Sequence, residues 1–398
     1  MQKLLAHAYE QVPYYRKLFD CNGLAPQDIK TPEDFRKIPL LSKGIVQEHR
    51  EHLIARDHRG IQLTPVASGG STGQPTRLYK HPAKRAIEVA DTWGYHQWMG
   101  WQVGDRSMRL WGSLDPENFK RKTYRRLAQF CTQEICSNVH QIDEAAMKKI
   151  ADRMQRFKPK ILIGYTNALF TLATHLLEQR RSITGLLGVV TTAETLFPYQ
   201  RELIEKAFGC RVFNRYASQE IGQLAGECSE GNLHLNIQNV YFEFWGEADP
   251  VSAGMLGSVV VTDLNNYAMP FIRYQLGDIG VAAAHSCSCG RGLPVIGELK
   301  GRLSDVIVTP DKRYIFADDI AEIFYPLNGI KQFQVIQENR ENVTVKIVKN
   351  GEADSHEVVK RLQGAVGAKM TVKLEVVHNL PVLPSGKHRI CISRICQN

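Results

Sequence analysis

Five stretches of this chain bring together residue types that do chemistry. The run ASGGSTGQPT (67–76) lies between two strand-like stretches, IQLTPV and TRLYK, and reads as the tip of a hairpin. Its successive backbone N–H groups, with the hydroxyls of Ser68, Ser71 and Thr72, could form a nest around phosphate oxygens, or the run could be a plain flexible turn. It is not a Walker loop, because GxxxxGK followed by Ser or Thr is absent. In NRYASQEIG (214–222), Tyr216 offers a ring that could stack on a base. Glu220, four residues on, offers a carboxylate suited to Mg²⁺, the alternative being a surface turn whose acid starts a helix. In MPFIRYQLGDIG (269–280), Asp278 follows a glycine and either accepts from ribose hydroxyls or serves a turn. LKGRLSDVI (299–307) marks a junction, and the Pro/Gly loop NLPVLPSGKHR (379–389) presents Lys387, which is either catalytic or merely solvated.

A separate constellation consists of CSCG (287–290) and CSEGNLH (228–234). Cys287 and Cys289 from one turn, with Cys228 and His234 from another, would complete a closed tetrahedral Zn²⁺ site, and closed sites are structural. Unrelated reduced thiols or a disulfide are the alternatives, and His234 opens an alternating strand where it could face solvent. Cys21, Cys131, Cys136, Cys210, Cys391 and Cys396 read as isolated thiols.

The elements that position these groups follow from periodicity. From about Asp143 the pattern alternates. A helical stretch (143–157) precedes the apolar run KILIGY (160–165). TNALFTLATHLLEQRR (166–181) is amphipathic, with Thr166 or Asn167 placed to cap it. LLGVVTTAE (186–194) reads as a strand, PYQRELIEKAFG (198–209) as a helix closed by Gly209, and RVFNRYA (211–217) as a strand. Such alternation predicts a parallel sheet with right-handed crossovers, and ligands collect beyond the carboxyl ends of its strands: at 164–167, 191–194 and 216–220. After Gly222 the period becomes two, in HLNIQNVYFEFW and GSVVVTDL, which predicts an antiparallel subdomain ending near Gly301. The last segment predicts a hairpin (333–350), a helix (355–367) and a strand (370–377). The fold class is therefore α/β: a large domain (1–301) with parallel sheets flanked by helices plus an antiparallel part, and a small mobile α+β domain (302–398).

The 398 residues hold 50 Lys and Arg against 41 Asp and Glu, a net charge of +9. These cations are spread along the chain with no reading module beside them, which favours polyanionic small molecules over nucleic acid. FKRKTYRR (119–126) is a solvated basic face or the rim of a phosphate-rich entrance. No apolar run approaches the ~18 residues of a membrane helix and no signal peptide opens the chain, so a cytoplasmic protein without membrane contact is expected. Dispersed cysteines argue against a disulfide framework.

In their order, SGGSTGQP, TTAE, NRYASQE, AMPFIRYQLGD, KGRLSD and LPSGK resemble the adenylate-forming superfamily of acyl-CoA synthetases, and most of all the phenylacetate-CoA ligase and capsular-cluster branch. The resemblance runs over nearly the whole length. It implies that Ser68, Gly69, Gly70, Ser71, Thr72 and Gly73 embrace the β- and γ-phosphates of ATP. It implies that Ala193 and Glu194 border the adenine, Asn214 reaches the base edge, and Tyr216 stacks on it. Glu220 would hold Mg²⁺, Asp278 the ribose, and Arg302 would lie beside ribose and hinge. Lys387 would swing in with the small domain to stabilise charge as the carboxylate attacks the α-phosphate. Trp93, Trp98, Trp101 and Trp111, with Tyr95, lie in the stretch that approaches the acyl pocket in relatives, although at least two of the four tryptophans read as core. The acid's tail is expected among 111–113, 165–167 and 192–194, where an aromatic acid would suit the walls.

Departures from the family pattern are Gln219 in place of a hydroxyl residue before the glutamate, Ser304 at the hinge with Asp305 adjacent, and VTPDKRYIF (308–316) where a glycine-containing turn usually admits pantetheine. The activity implied is ATP-dependent, AMP-forming ligation of a carboxylic acid to CoA by a monomer or homodimer. The alternatives are transfer of the same adenylate to an amine or hydroxyl, and a catalytically silent scaffold.

Overall fold

The computed structural model describes residues 1–58, 60–67, 76–112, 132–139, 143–246, 249–325, 327–380 and 389–395. Its first elements are α1 (Gln2–Gln11), α2 (Pro13–Cys21), α3 (Pro32–Arg36), α4 (Lys43–Glu48), β1 (Thr64–Ala67), β2 (Arg77–Lys80) and α5 (Pro82–Gln97). There follow β3 (Ser107–Trp111), β4 (Glu134–Asn138), α6 (Glu144–Phe157), β5 (Ile161–Tyr165), α7 (Thr166–Glu178), β6 (Gly188–Thr192), α8 (Pro198–Phe208) and β7 (Val212–Ser218). Next come β8 (Gly222–Glu227), β9 (Leu233–Leu235), β10 (Val240–Trp245), β11 (Leu256–Asp263), β12 (Tyr274–Ala282) and β13 (Val295–Arg302). The chain ends in β14 (Ile307–Val308), β15 (Tyr314–Ile315), α9 (Ala317–Phe324), β16 (Ile330–Gln337), β17 (Asn342–Lys349), α10 (Ser355–Val366), β18 (Thr371–Val376) and β19 (Cys391–Ser393). No described helix is long and apolar enough to cross a membrane. The chain groups into two compact units, one of residues 1–103, 213–276 and 280–298, the other of 104–212, 277–279 and 299–398.

In the second unit β6, β5, β3 and β4 lie side by side in that order, all parallel, as the alternation predicts. Every residue of β5 and β6 is buried, because helices cover both faces of such a sheet. Met147 and Met154 of α6, with Leu169, Leu172 and Leu176 of α7, fill its core. Gly209 takes φ +62° and ends α8, as the sequence requires. One expectation fails. Neither Thr166 nor Asn167 caps α7 with its side chain, because β5 runs directly into the helix. The Glu194 carboxylate accepts the Asn167 N–H at 2.9 Å instead, and the Thr166 hydroxyl donates to the Glu194 carbonyl at 3.3 Å.

The same unit contains a four-stranded sheet in the order β18-β17-β16-β19, the expected hairpin β16–β17 being flanked by two parallel pairings. Ile320 and Phe324 of α9 with Val358 and Leu362 of α10 pack on it. Arg389, just before β19, donates to the Ser304 carbonyl at 2.9 Å and pairs with Asp305.

In the first unit the strand order is β10-β11-β12-β13-β9-β8-β7, with antiparallel pairing at β10/β11, β13/β9, β9/β8 and β8/β7. β1 and β2 form the expected hairpin in register Ala67 to Arg77. Helix α5 is fastened to the sheet by charge. Lys84, 1% exposed, bonds to the fully buried Asp263 at 2.8 Å, and Asp91 accepts from Asn236 and Asn239 at 2.9 and 2.7 Å. Buried ions are tolerated only when paired in this way, and the pairs orient α5 on the sheet.

Candidate functional site

Asn214 and Tyr216 lie on β7, and Glu220 lies half-buried on the turn into β8. The turn is folded by the Ser218 hydroxyl, which accepts the Ile221 N–H at 3.1 Å. Gln219, which replaces a hydroxyl residue, is exposed. Gly222 adopts φ +99°, and a Cβ there would come within 3.0 Å of the Glu88 side chain, so the turn carrying Glu220 requires glycine on two counts. Behind β7 and β8 stands Tyr95 of α5, its ring against Gly226. A Cβ at 226 would lie 2.3 Å from Cε2 of that ring. Gly226→Ala should therefore lower stability by about 1–3 kcal/mol through overpacking, read as a lower urea midpoint at unchanged slope.

In the other unit Ala193 and Glu194 follow β6. Ala193 sits at φ +70°, a left-handed conformation unusual for a residue with a Cβ, at the carboxyl end of a parallel strand where sites form. Asp278 is 8% exposed, and Arg302 lies 3.5 Å from its carboxylate. Segments 24 residues apart thus deliver an acid and a guanidinium to one place. Trp111 and Tyr165, at the ends of adjacent strands β3 and β5, are 4.6 Å apart and build an aromatic wall. Burial raises the Tyr165 phenol above its usual value, so it remains a neutral donor. Trp101 is 3% exposed and Trp111 packs on the parallel-sheet core, whereas Trp93 and Trp98 are half-buried. The glycine-rich loop with Ser68, Gly69, Gly70, Ser71, Thr72 and Gly73, the basic run 119–126, and Lys387 lie outside the described residues.

The cysteine constellation comes together. One ligand atom from each of Cys228, His234, Cys287 and Cys289 lies within 4.8 Å of the others. His234 is 1% exposed, so it does not face solvent, and its Nδ1 lies 3.0 Å from the Leu293 carbonyl. A proton donated there leaves Nε2 as the ligand atom, 3.2 Å from Cys289 Sγ. Cys228 and Cys287 sulfurs are 3.6 Å apart, too far for a disulfide bond of ~2.05 Å and close to neighbouring vertices of a tetrahedral site. The Glu230 and Cys289 backbone N–H groups and the Asn232 amide point at these sulfurs. Burial works to raise the Cys289 thiol, but donors from the Arg291 backbone and guanidinium and the two adjacent thiols outweigh it and bring it down to about 6. Burial pushes the Cys228 thiol up. Cys21, Cys136, Cys210 and Cys391 are thiols away from this group, and Cys131 and Cys396 lie outside the described residues.

A family described as the CapK C-terminal domain matches residues 307–394. Protein CapK of Staphylococcus aureus is 25% identical over 397 residues, covering 96% of this chain and 85% of that protein. Phenylacetate-coenzyme A ligase of Thermus thermophilus is 23% identical over 330 residues, covering 77% of this chain and 70% of that protein. Among solved structures, 2-hydroxyisobutyryl-CoA ligase in the postadenylation state, in complex with R3-HIB-AMP, aligns with a TM-score of 0.80 at 18% identity, over 99% of this chain and 88% of the other. ATP-bound MatB from Rhodopseudomonas palustris aligns with a TM-score of 0.60 at 16% identity, over 82% and 66% of the two chains. The α/β fold of the chain is the one these ligases share.

Proposed function

We propose, from the similarity to CapK and to phenylacetate-coenzyme A ligase, that the chain is an adenylate-forming enzyme that activates a carboxylic acid with ATP and passes the acyl group to CoA. A carboxylate oxygen attacks the α-phosphorus as the bond to the β-phosphate bridge breaks, releasing pyrophosphate. The CoA sulfur then attacks the acyl carbon, AMP departs, and the thiol proton passes to solvent. The observation that most supports this reading is the Asp278–Arg302 pair. A carboxylate 8% exposed beside a guanidinium 3.5 Å away suits the paired hydroxyls of a ribose, and it stands in the LGD and KGR segments where the family resemblance calls for it.

In this reading Ser68, Gly69, Gly70, Ser71, Thr72 and Gly73 receive the phosphates, Glu220 holds Mg²⁺, and Ala193, Glu194, Asn214 and Tyr216 receive the base. Lys387 supplies the positive charge from a mobile domain of residues 302–398. The aromatic wall of Trp111 and Tyr165 favours an aryl acid. The Cys228–His234–Cys287–Cys289 group would hold a structural Zn²⁺. Four protein ligands from two turns leave no open position for chemistry, and their donated N–H···S bonds suit thiolates.

A second acceptor is favoured by the turn at 309–313. Between β14 and β15 the chain closes through the Thr309–Arg313 hydrogen bonds, with Lys312 at φ +63° and no glycine. Since that position usually admits pantetheine, an amine or hydroxyl is the alternative nucleophile for the same adenylate. The decisive experiment is pyrophosphate release over a panel of aryl and short-chain acids, each with and without CoA. Acid-dependent release with thioester formation supports the ligase, and product formed from an added amine without CoA supports the second acceptor. Absence of acid-dependent release across the whole panel would leave only the silent scaffold.

A further inference from the structure

We propose that Tyr95 and Glu227 are positioning residues for Asn214, and that by fixing this residue they decide how strictly an adenine base is distinguished from its 6-oxo counterpart. The inference rests on the nucleotide reading above. Asn214 and Glu227 stand opposite each other at the end of the β7–β8 ladder, one step beyond the Arg215–Gly226 pair. Side chains hold Asn214 in place at this point. The Glu227 carboxylate accepts the Asn214 N–H at 2.7 Å, and the Tyr95 hydroxyl donates to the Asn214 carbonyl at 2.9 Å. The same hydroxyl accepts the Glu227 N–H at 3.1 Å, so one phenol oxygen bridges the two strands. Both Tyr95 and Glu227 are 2% exposed, and the phenol ring reaches this place only because residue 226 is glycine.

The arrangement carries more than packing. A buried carboxylate and a buried hydroxyl each bond to the backbone of Asn214 and so fix its N–H and C=O directions. Asn214 itself is half-buried on β7, two residues before Tyr216, and the family resemblance gives its side chain the edge of the base. Its carboxamide can read an exocyclic amine only if its backbone is held to within a fraction of an ångström. Removing the phenol oxygen leaves the fold its ring and its packing but releases one anchor of Asn214.

The test measures AMP and IMP binding to the full chain by calorimetry, with thermal melting alongside. IMP presents a carbonyl where AMP presents the 6-amino group. The wild-type chain should prefer AMP, and Asn214→Ala should abolish the preference. Tyr95→Phe should reduce the AMP-to-IMP affinity ratio by about tenfold, the worth of one well-placed hydrogen bond, with IMP affinity unchanged. Glu227→Ala should reduce the ratio similarly, and Glu227→Gln, whose amide oxygen still accepts, should restore it. If Asn214→Ala loses the preference while Tyr95→Phe and Glu227→Ala keep the wild-type ratio, or weaken AMP and IMP in parallel, the two residues are only structural and the proposal is wrong. If Asn214→Ala keeps the preference, or the wild-type chain binds neither nucleotide, the base assignment itself fails and the positioning role falls with it.

Discussion

Lys387→Ala should lose acid-dependent pyrophosphate exchange by about 10²- to 10³-fold while its affinity for ATP stays close to the wild-type value. The expectation follows from charge. In-line displacement at phosphorus concentrates negative charge on the oxygens between the α- and β-phosphates as the leaving group departs, and phosphoryl chemistry depends on fixed cations more than on covalent help. Lys387 follows Pro384, Ser385 and Gly386, and the PSGK run is the last of the family-like segments in the chain. A lysine that acts only in the transition state changes turnover and leaves ground-state binding alone, so exchange kinetics and equilibrium binding must separate. Exchange at the wild-type rate in Lys387→Ala would remove this lysine from the mechanism, and a parallel loss of ATP affinity would make it a binding residue.

Cys287→Ser should strip the chain of bound zinc and lower its thermal midpoint by on the order of 10 °C. In small finger peptides a structural zinc is worth about 10–16 kcal/mol near neutral pH, and even a part of that is large against the stability of an ordinary domain. The four ligands tie the turn after β8 and the start of β9 to the turn at 287–290, two segments with little regular structure of their own. Elemental analysis of the purified wild-type chain should find about one zinc per molecule. Chelator treatment should reproduce the melting shift of the variant. Wild-type protein without metal, melting with Cys287→Ser at the same temperature, would return the cluster to a group of adjacent thiols.

Much of this architecture is written locally. The runs ILIGY and GVVTT are mostly apolar or β-branched and each is followed by an amphipathic stretch, so a parallel sheet covered on both faces is the arrangement that buries them, and β5 and β6 are buried at every position. Period-two patterning announces β10 and β11, and the hairpin β16–β17 with α10 is equally legible. The chemistry-bearing segments could be picked out because each combines glycine with hydroxyls, acids or thiols over a few residues. The family resemblance marks Asp278 and Arg302 for one ribose, and residue type marks Cys228, His234, Cys287 and Cys289 as candidate zinc ligands with separate thiols or a disulfide as alternatives; the fold brings each set together.

What the chain cannot announce over a short window is long-range. The capping of α7 came from Glu194, 27 residues from Asn167, because the end of a parallel strand leaves no room for a local cap and the next strand's loop supplies one. His234 looked free to face solvent by alternation, yet its burial depends on β9 lying between β8 and β13. Tyr95 bonds to residues 119 and 132 positions away, and nothing in the pattern of α5 separates it from Trp93 or Trp98. Periodicity and residue type are properties of neighbours along the chain, and they determine elements, turns and candidate ligands. Which buried hydroxyl meets which backbone carbonyl depends on how helix and sheet settle against each other, and only the folded arrangement holds that information.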